Sequence, residues 1–510
     1  MTLCVGVRVC DNYAMTSQDV TYRRPARALL PTIVLWSGFL LCSDLVAAEL
    51  SLTPCRIFDT AGVQSADAQC GVFPVAENPD QPDGKTIELH VALIAARAPT
   101  PAEDPLVVIQ GGPGGSSVEL YVSMEDAFDG VRKSRDILLI DQRGTGKSNP
   151  MRCALSEEDD GAIEFDPVLA AKFSQDCLAD LPGNPRFYTT SVAVKDLEAV
   201  RMALNYPSLN IYGVSYGTRV ALHYMRRYPE QTRSVIIDGV VPPQWHLGPD
   251  IARFGQNTLD DIFARCEASS SCNQRFGDLE VKLSVLASRL DQNPQELTIS
   301  DPITGRGTPM TFTQQHLVMA VRLMSYQRES QALIPLLIHE AYNGNLQPLA
   351  AQAQMAGESL STALAMGMHN SVVCTEDMPF VESFNDQELR DTYMGPDQMA
   401  SLRAICQHWP RGLMDDDFNQ PLSSDLPVLV LSGEFDPVTP PENGALAAQT
   451  LSNQQTVVAP GQGHGIAMRG CMPRVLANFV ETADPSAVDA DCINRLGPLA
   501  FFEDFSGPKP

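Results

Sequence analysis

Apolar and polar positions along the first half of the chain predict strands that alternate with helices. Residues 85–94 alternate polar and apolar side chains, which is typical of a half-exposed strand. Continuous apolar runs predict further strands, buried on both faces, at residues 105–109, 136–140, 209–212 and 234–238.

Helices are predicted between these strands. Residues 191–205 place Leu197, Val200 and Leu204 on one face, and residues 218–225 follow the strand at 209–212 directly. Strands that alternate with helices indicate a mostly parallel sheet covered by helices on both faces. Residues 51–82, which contain cysteine, glycine and proline, form a lead-in before the first predicted strand.

The pattern changes in the second half of the chain. From about residue 247 to residue 408 the sequence is helix-like, rich in Gln and Met, and without buried-strand runs. The strand pattern resumes at residues 427–431 and 455–458. We therefore expect a core formed by residues 49–245 and 416–510, interrupted by a helical cap at residues 246–415.

Composition and charge narrow the functional classes. The 510 residues are 44% hydrophobic and 19% charged, as expected for a chain that buries a substantial core. A net charge of −26 argues against nucleic acid or an anionic membrane surface as a partner, and indicates a solubilising surface. The oligomeric state stays open at this point.

The N-terminal region has the features of an export signal. Residues 22–27 are basic, residues 28–42 are mostly apolar, and Val46-Ala47-Ala48 supplies small residues before a cut ahead of Glu49. Translation is expected to begin either at the first residue or at Met15. The apolar run is too short for a membrane span, so residues 1–48 are predicted to be a signal peptide and stable membrane insertion is not expected.

Cysteine usage also indicates export. Ten of the 13 cysteines follow the predicted cut, and they fall into near pairs in the sequence: Cys55 with Cys70, Cys153 with Cys177, Cys266 with Cys272, Cys374 with Cys406, and Cys471 with Cys492. Zinc is the alternative, but no Cys-x-x-Cys pair is present. We therefore expect disulfides in a periplasmic or secreted protein, although sequence alone does not fix the pairing.

A Gly-x-Ser-x-Gly pattern stands between a predicted strand and a predicted helix. Residues 213–217 are Gly-Val-Ser-Tyr-Gly, and this context is that of a nucleophile elbow, in which Ser215 would sit on a tight turn. The pattern arises by chance about 0.2 times in a chain of this length. Its significance therefore depends on what the rest of the chain supplies.

A serine nucleophile needs a base and an orienting carboxylate, in the order Ser, Asp or Glu, His for this architecture. Asp436 follows a buried strand, and His464 lies in a glycine-rich loop after the last strand-like run. Both are expected at the carboxyl edge of the sheet. Glu434 is the rival for the carboxylate; we prefer Asp436 because it lies farther out from the strand.

An acyl-transfer site also needs hydrogen-bond donors for the oxyanion. One donor is expected from the N–H of Tyr216, directly after the nucleophile. The other is expected from residues 110–117 (Gln-Gly-Gly-Pro-Gly-Gly-Ser-Ser), with the Gly112 N–H as first candidate. A phosphate cradle is the alternative for this loop, but no Gly-Lys-[Ser/Thr] ending or Rossmann spacing accompanies it.

Four motifs in this order resemble those of α/β-hydrolase exopeptidases, the proline iminopeptidase and tripeptidyl aminopeptidase group. They are residues 110–117, 141–146 (Asp-Gln-Arg-Gly-Thr-Gly), 213–217 and 432–440 (Ser-Gly-Glu-Phe-Asp-Pro-Val-Thr-Pro). The likeness runs from about residue 55 to residue 497, and the C-terminal region is similar to that of the tripeptidyl aminopeptidases. Gln110 departs from the family pattern, which usually has His there.

The resemblance implies an α/β-hydrolase fold and a site for the free N-terminus of a peptide, held by acidic residues of the cap. Glu376 is the first candidate for this role and Asp377 the second, since a partly desolvated carboxylate binds an ammonium strongly. Two surface carboxylates at a helix end are the alternative. Asp141 and Arg143 are expected to be structural, holding the loop beside the oxyanion strand.

The leading hypothesis is thus a secreted or periplasmic serine aminopeptidase, of prolyl or tripeptidyl type, that needs no metal or cofactor. An esterase or other acyl hydrolase on the same fold is the alternative. A non-catalytic binding protein is disfavoured because all candidate catalytic residues are present, and a dehalogenase or epoxide hydrolase because residue 215 is Ser rather than Asp.

Overall fold

A mixed β-sheet of nine strands forms the centre of the computed structural model, which describes residues 50–153, 165–300, 305–381 and 386–506. The predicted signal peptide lies outside these residues. The strands in the described ranges are β1 (Thr53–Phe58), β2 (Ser65–Ala76), β3 (Thr86–Ile94), β4 (Leu106–Ile109), β5 (Ile137–Ile140), β6 (Leu209–Val214), β7 (Thr232–Asp238), β8 (Gln295–Ser300), β9 (Gly307–Phe312), β10 (Val428–Gly433) and β11 (Gln454–Ala459).

Helices surround the sheet and form most of the region between β7 and β10. Over the same described ranges they are α1 (Ser117–Ser123), α2 (Glu125–Phe128), α3 (Pro167–Asp180), α4 (Thr190–Ala203), α5 (Tyr216–Arg227), α6 (Asp250–Ala268), α7 (Ser270–Phe276), α8 (Leu279–Gln292), α9 (Gln314–Met324), α10 (Arg328–Gln331), α11 (Ile334–Tyr342), α12 (Gln347–Ala363), α13 (Met366–Val372), α14 (Asp386–Arg390), α15 (Asp397–Cys406), α16 (Pro441–Ala448) and α17 (Met472–Thr482).

The strand order is β1-β2-β3-β5-β4-β6-β7-β10-β11. Strand β1 pairs antiparallel with β2, β2 with β3, and β3 with β5. The remaining neighbours in this sheet, β5-β4-β6-β7-β10-β11, pair parallel. The central strands β4, β5, β6 and β10 are buried along their whole length, as their continuous apolar runs predict. The predicted parallel sheet is confirmed, with an antiparallel N-terminal edge.

Two apolar layers cover the sheet. On one face, Val107, Ile211 and Val430 pack with residues of α4 and α5. On the other face, Val108 and Leu429 pack with residues of α1, α2 and α17. Because alternate residues of a strand point to opposite faces, continuous apolar runs are needed to fill both layers.

The lead-in at residues 51–82 contains two strands that the sequence pattern did not predict. Strands β1 and β2 lie in this segment and extend the sheet beyond β3. Their burial is uneven and mostly partial, and Gly71 and Pro74 interrupt the alternation in β2. Cross-strand pairing with β3 stabilises β2, and such pairing depends on residues that are distant in sequence.

The helical region between β7 and β10 also contains a small antiparallel hairpin of β8 and β9. Most of its side chains are exposed, so it lacks the buried-strand run by which a strand is recognised in sequence. A separate apolar cluster, which includes Leu259, Leu286, Leu337 and Leu402, lies within this region. The boundaries of the cap at residues 246 and 415 stay a prediction.

Five disulfides join the cysteines that are near neighbours in sequence: Cys55–Cys70, Cys153–Cys177, Cys266–Cys272, Cys374–Cys406 and Cys471–Cys492. The expectation of disulfides is confirmed. Over the described ranges, the helices are all too short or too polar to span a bilayer.

Candidate active site

Ser215 sits on a strained turn between β6 and α5. Its backbone has φ 56° and ψ −127°, which few residues with a side chain adopt. A Cβ atom at Gly213 would lie 2.3 Å from the Gly217 carbonyl oxygen, and one at Gly217 would lie 2.4 Å from the Ile109 carbonyl oxygen. The two glycines of the motif are therefore required by close backbone approach at the turn.

The loop after β4 lies against this turn. A Cβ at Gly111 would lie 2.6 Å from the Cβ of Ser215, so the loop backbone approaches the serine closely. The Gly111 N–H donates to Oε1 of Gln110 at 2.8 Å, whereas the Gly112 N–H has no acceptor among the described residues. Gln110 thus takes part in holding the loop, and within the described ranges the Gly112 N–H is left without an acceptor beside Ser215.

Asp141 fixes the same loop from behind. Its carboxylate accepts from Ser116 Oγ at 2.6 Å and from the N–H groups of Val118 and Lys147, and it faces the His90 ring at 3.3 Å. Burial acts to raise the pKa of Asp141, but His90, Ser116 and the Lys147 N–H outweigh it, and the pKa falls below its usual value.

Arg143 holds a different part of the core. Its guanidinium binds both carboxylate oxygens of Asp196, at 2.6 and 2.7 Å, and three backbone carbonyls. These buried contacts lie away from Ser215 and connect the loop after β5 with α4. They agree with the structural role expected for Asp141 and Arg143.

His464 and Asp436 form a buried pair at the carboxyl edge of the sheet. His464 Nδ1 lies 2.8 Å from Asp436 Oδ2, and the other oxygen of Asp436 accepts from the N–H groups of Val438 and Thr439. Glu434 instead accepts from the Gly461 N–H at 2.7 Å. The structure therefore joins Asp436, and not Glu434, to the histidine.

The electrostatics of this pair favour the ionised forms of both groups. Burial acts to lower the pKa of His464, but the charge and hydrogen bond of Asp436, together with the charge of Asp238, raise the pKa above 6.5. Burial acts to raise the pKa of Asp436, and His464 with the Thr439 and Val438 N–H groups lowers it below 3.8. The imidazolium that forms when His464 accepts a proton is therefore stabilised in place.

Two further residues position the pair, and sequence reasoning did not single them out. Thr439 Oγ1 donates to Asp436 Oδ2 at 2.8 Å and lies 3.0 Å from His464 Nδ1. Asp238, at the end of β7, accepts from the N–H groups of Ile466 and Ala467, and its carbonyl accepts from the Ser215 N–H. For Asp238, the available signal in the sequence was its position as a polar residue at the end of a buried strand.

The acidic candidates of the cap lie on a single π-helical turn, Val373–Asp377, that follows α13. Asp377 lines the cavity above Ser215, and its Oδ1 accepts from Arg219 Nη2 at 2.8 Å and from the Leu247 N–H at 2.9 Å. Arg219 belongs to α5, one turn after Ser215. The ion pair therefore connects the cap to the helix of the elbow.

Glu376 lies behind this wall and is fully buried. It accepts from the N–H and Oγ1 of Thr190 at 2.7 and 2.8 Å and lies 3.8 Å from Arg219. Burial is the largest effect on this carboxyl and raises its pKa to about 7, against the lowering effect of Arg219 and Thr190. Thr190 Oγ1 also lies 2.6 Å from the hydroxyl of Tyr216.

A cavity of about 790 Å³ brings most of these residues together. Its wall includes Ser215, His464, Gly112, Tyr216 and Asp377. Asp436 lies behind His464, and Glu376 lies 3.8 Å from Arg219 of the wall, so both act on the cavity through a neighbour. The cap approaches the oxyanion loop here, where the Ala365 N–H donates to the Gly114 carbonyl at 3.0 Å.

The fold and this arrangement define the class. The chain is an α/β hydrolase: residues 104–269 match the family described as α/β hydrolase fold, and residues 391–492 match the family described as TAP-like protein. The resemblance to the tripeptidyl aminopeptidase group is thereby confirmed.

Two relatives match most of the chain, and a third matches less than half of it. YuaR of Escherichia coli (strain K12), named a hydrolase without a stated substrate, is 25% identical over 484 residues, which is 88% of this chain and 92% of YuaR. Tripeptidyl aminopeptidase of Streptomyces coelicolor is 24% identical over 468 residues, 84% of each chain. Serine protease Hip1 of Mycobacterium tuberculosis is 30% identical over 238 residues, 43% of this chain and 45% of Hip1.

Proposed function

We propose that this α/β hydrolase is a serine peptidase that releases residues or short peptides from free peptide N-termini through an acyl-enzyme. The observation that carries the proposal is the shared cavity, in which Ser215, His464 and the Gly112 loop face a carboxylate of the cap. The names of the aminopeptidase and protease relatives support the peptide substrate.

In this mechanism His464 accepts the proton of Ser215 Oγ while the oxygen attacks the scissile carbonyl carbon. Asp436, at 2.8 Å from Nδ1, keeps the imidazole oriented and stabilises its charge. The carbonyl oxygen becomes an oxyanion, and the N–H groups of Gly112 and Tyr216 are the proposed donors to it.

Collapse of this intermediate breaks the bond to the leaving amine, which takes the proton from His464. Water then attacks the acyl-enzyme with His464 again as base, and the acid product and Ser215 Oγ are released. The strained elbow holds Ser215 in the attacking position before substrate binds. The entropic cost of orienting the nucleophile is therefore not added to the barrier of the reaction.

For the N-terminal ammonium we propose Asp377 as the carboxylate in contact, with Glu376 behind it. Asp377 lines the cavity, and the contacts from Arg219 and Leu247 fall on Oδ1, which leaves Oδ2 for the ligand. A buried carboxylate in a fixed position gives an ammonium both affinity and register. Glu376 contributes through Thr190 and Arg219 rather than by contact.

Matched peptides with free and N-acetylated termini test the proposal. We expect kcat/KM for free peptides to exceed that for acetylated ones by about 100-fold, since acetylation removes the charge that pairs with Asp377. In Asp377→Asn this preference should collapse, mainly through KM. Equal rates on free and acetylated peptides in the wild-type enzyme would overturn the exopeptidase assignment.

An esterase is the second candidate, and the largely apolar wall of the cavity favours it. The same triad cleaves esters and amides, so the comparison must use one acyl group in both forms. If esters are hydrolysed rapidly while peptides with either terminus are left intact, the esterase assignment replaces the peptidase.

We also propose that the protein acts outside the cytoplasm. Five disulfides support an oxidising compartment, because such bonds are rare where thiols are kept reduced. Fractionation of the cells that produce it, with a cytoplasmic marker as control, checks this assignment. Recovery with the cytoplasmic marker would contradict it.

A further inference from the structure

The cavity wall away from the catalytic residues is predominantly aliphatic and aromatic. Large apolar side chains here are Phe173 of α3, Trp245 of the segment after β7, and Leu247, Ile251, Leu402 and Ile405 of the cap. On α15, Leu402 and Ile405 are three residues apart and so share the helix face that lines the cavity. A ligand in this volume therefore meets mostly carbon atoms.

The cavity wall has few charged side chains, and they differ in number between the two signs. Among the described residues that line the cavity, Asp377 is the one carboxylate, and it is already in contact with Arg219. Arg219, Arg322 and Arg469 supply three guanidinium groups, of which Arg219 pairs with Asp377 and Arg469 pairs with Glu329. Although the whole protein carries a net charge of −26, this wall has more cationic than anionic side chains.

We propose that the acyl side of the substrate carries apolar, uncharged side chains, and that the N-terminal ammonium is the one positive charge the cavity accepts. The inference rests on the proposed function, because that function assigns Asp377 to the ammonium. A lysine or arginine side chain of the substrate then has no second carboxylate and lies among guanidinium groups.

The physical basis is transfer from water. Each methylene group buried against such a wall contributes a factor of about 4 in binding. A charged side chain that leaves water without a partner loses far more than its methylene groups gain. Selectivity should therefore rise with aliphatic size and fall sharply at a charge.

Fluorogenic aminocoumarin amides of free dipeptides test this, with Ala, norvaline, Leu, Lys or Glu placed at each acyl-side position in turn. We expect kcat/KM to exceed that for Ala by about 16-fold for norvaline and by about 60-fold for Leu, and kcat/KM for Leu to exceed that for Lys by about 100-fold. Wild-type enzyme that cleaves the Lys and Leu peptides equally at both positions would overturn the inference.

A variant with an added carboxylate provides a gain-of-function arm. Leu360 of α12 lines the cavity and is half-buried, so a polar side chain can be accommodated there without burying it fully. Leu360→Glu should raise the Lys-to-Leu ratio of kcat/KM by about tenfold, while the isosteric neutral control Leu360→Gln should not. Equal ratios in Leu360→Glu, Leu360→Gln and wild type would count against the inference.

N-acetylated versions of the same peptides separate this inference from the proposed function. Equal cleavage of free and acetylated peptides, whatever the side chain, removes the exopeptidase proposal. Strict dependence on a free N-terminus together with equal cleavage of Lys and Leu peptides removes only the apolar selectivity.

Discussion

Substitution of the buried Glu376 by glutamine should change how stability depends on pH. Glutamine preserves both contacts with Thr190, since its oxygen accepts from the Thr190 N–H and its amide donates to Thr190 Oγ1. What it removes is the ability to titrate. The variant therefore isolates the proton equilibrium of one carboxyl group.

Burial raises the Glu376 pKa from 4.5 to about 7, so the folded protein holds this proton more tightly than the unfolded chain does. The stabilisation is then fully present below pH 4.5 and is lost as the pH rises through 7. At about 1.36 kcal/mol per pH unit, the loss amounts to about 3 kcal/mol. The free energy of unfolding of the wild type minus that of Glu376→Gln should fall by this amount between pH 4 and 8.

Urea unfolding with the disulfides intact, followed by the fluorescence of Trp245 and Trp409, measures the difference at each pH. Other titrating groups, His464 among them, are present in both proteins and cancel. Glu358→Gln, at an exposed position of α12, controls for the change in net charge. A difference that stays constant from pH 4 to 8, or that grows with pH, would refute the reasoning.

Three further substitutions test the site and its support. Asp436→Asn should lower kcat by about 10⁴-fold with the fold retained, because the imidazole of His464 loses its orienting charge; a loss below tenfold in steady-state kinetics would contradict this. Asp238→Asn should move the acidic limb of the kcat/KM profile to lower pH, since the Asp238 charge helps to raise the pKa of His464, and should lower kcat by about 10- to 100-fold; an unmoved limb would show a merely structural role. Arg143→Met should destabilise the fold by about 3 to 5 kcal/mol in urea unfolding, because Asp196 stays buried without its partner, and unchanged stability would argue against the structural role.

Much of the core fold follows from local pattern. The apolar runs at residues 105–109, 136–140 and 427–431 predict the strands β4, β5 and β10 to within two residues at each end. Strands β1 and β2 are not visible in this pattern, because their partly exposed residues are stabilised as strands by pairing, β2 with β3 and β1 with β2. The hairpin of β8 and β9, whose two strands pair with each other, is not visible because most of its side chains are exposed and give no buried-strand run.

The candidate site also contains residues that the sequence pattern predicts and residues that it does not. Ser215, Asp436 and His464 stand in motifs whose glycines and strand context mark them, and the structure brings these three residues to one edge of the sheet. The relation of Glu376 to Asp377 is not visible in sequence. A π-helical turn sends one carboxylate to the cavity and the other behind it, and that outcome depends on Arg219 and Thr190, which come from separate helices.

Covalent labelling of Ser215 is the most direct test of the account as a whole. The folded protein, treated with a fluorophosphonate, should gain one adduct per chain on the peptide that contains Ser215, and Ser215→Ala should gain none, because Ser215 is the proposed nucleophile on the strained elbow. Peptide mass spectrometry locates the adduct. Absence of an adduct on Ser215 in folded wild-type protein, or equal labelling of Ser215→Ala, would contradict the assignment of Ser215 as the nucleophile.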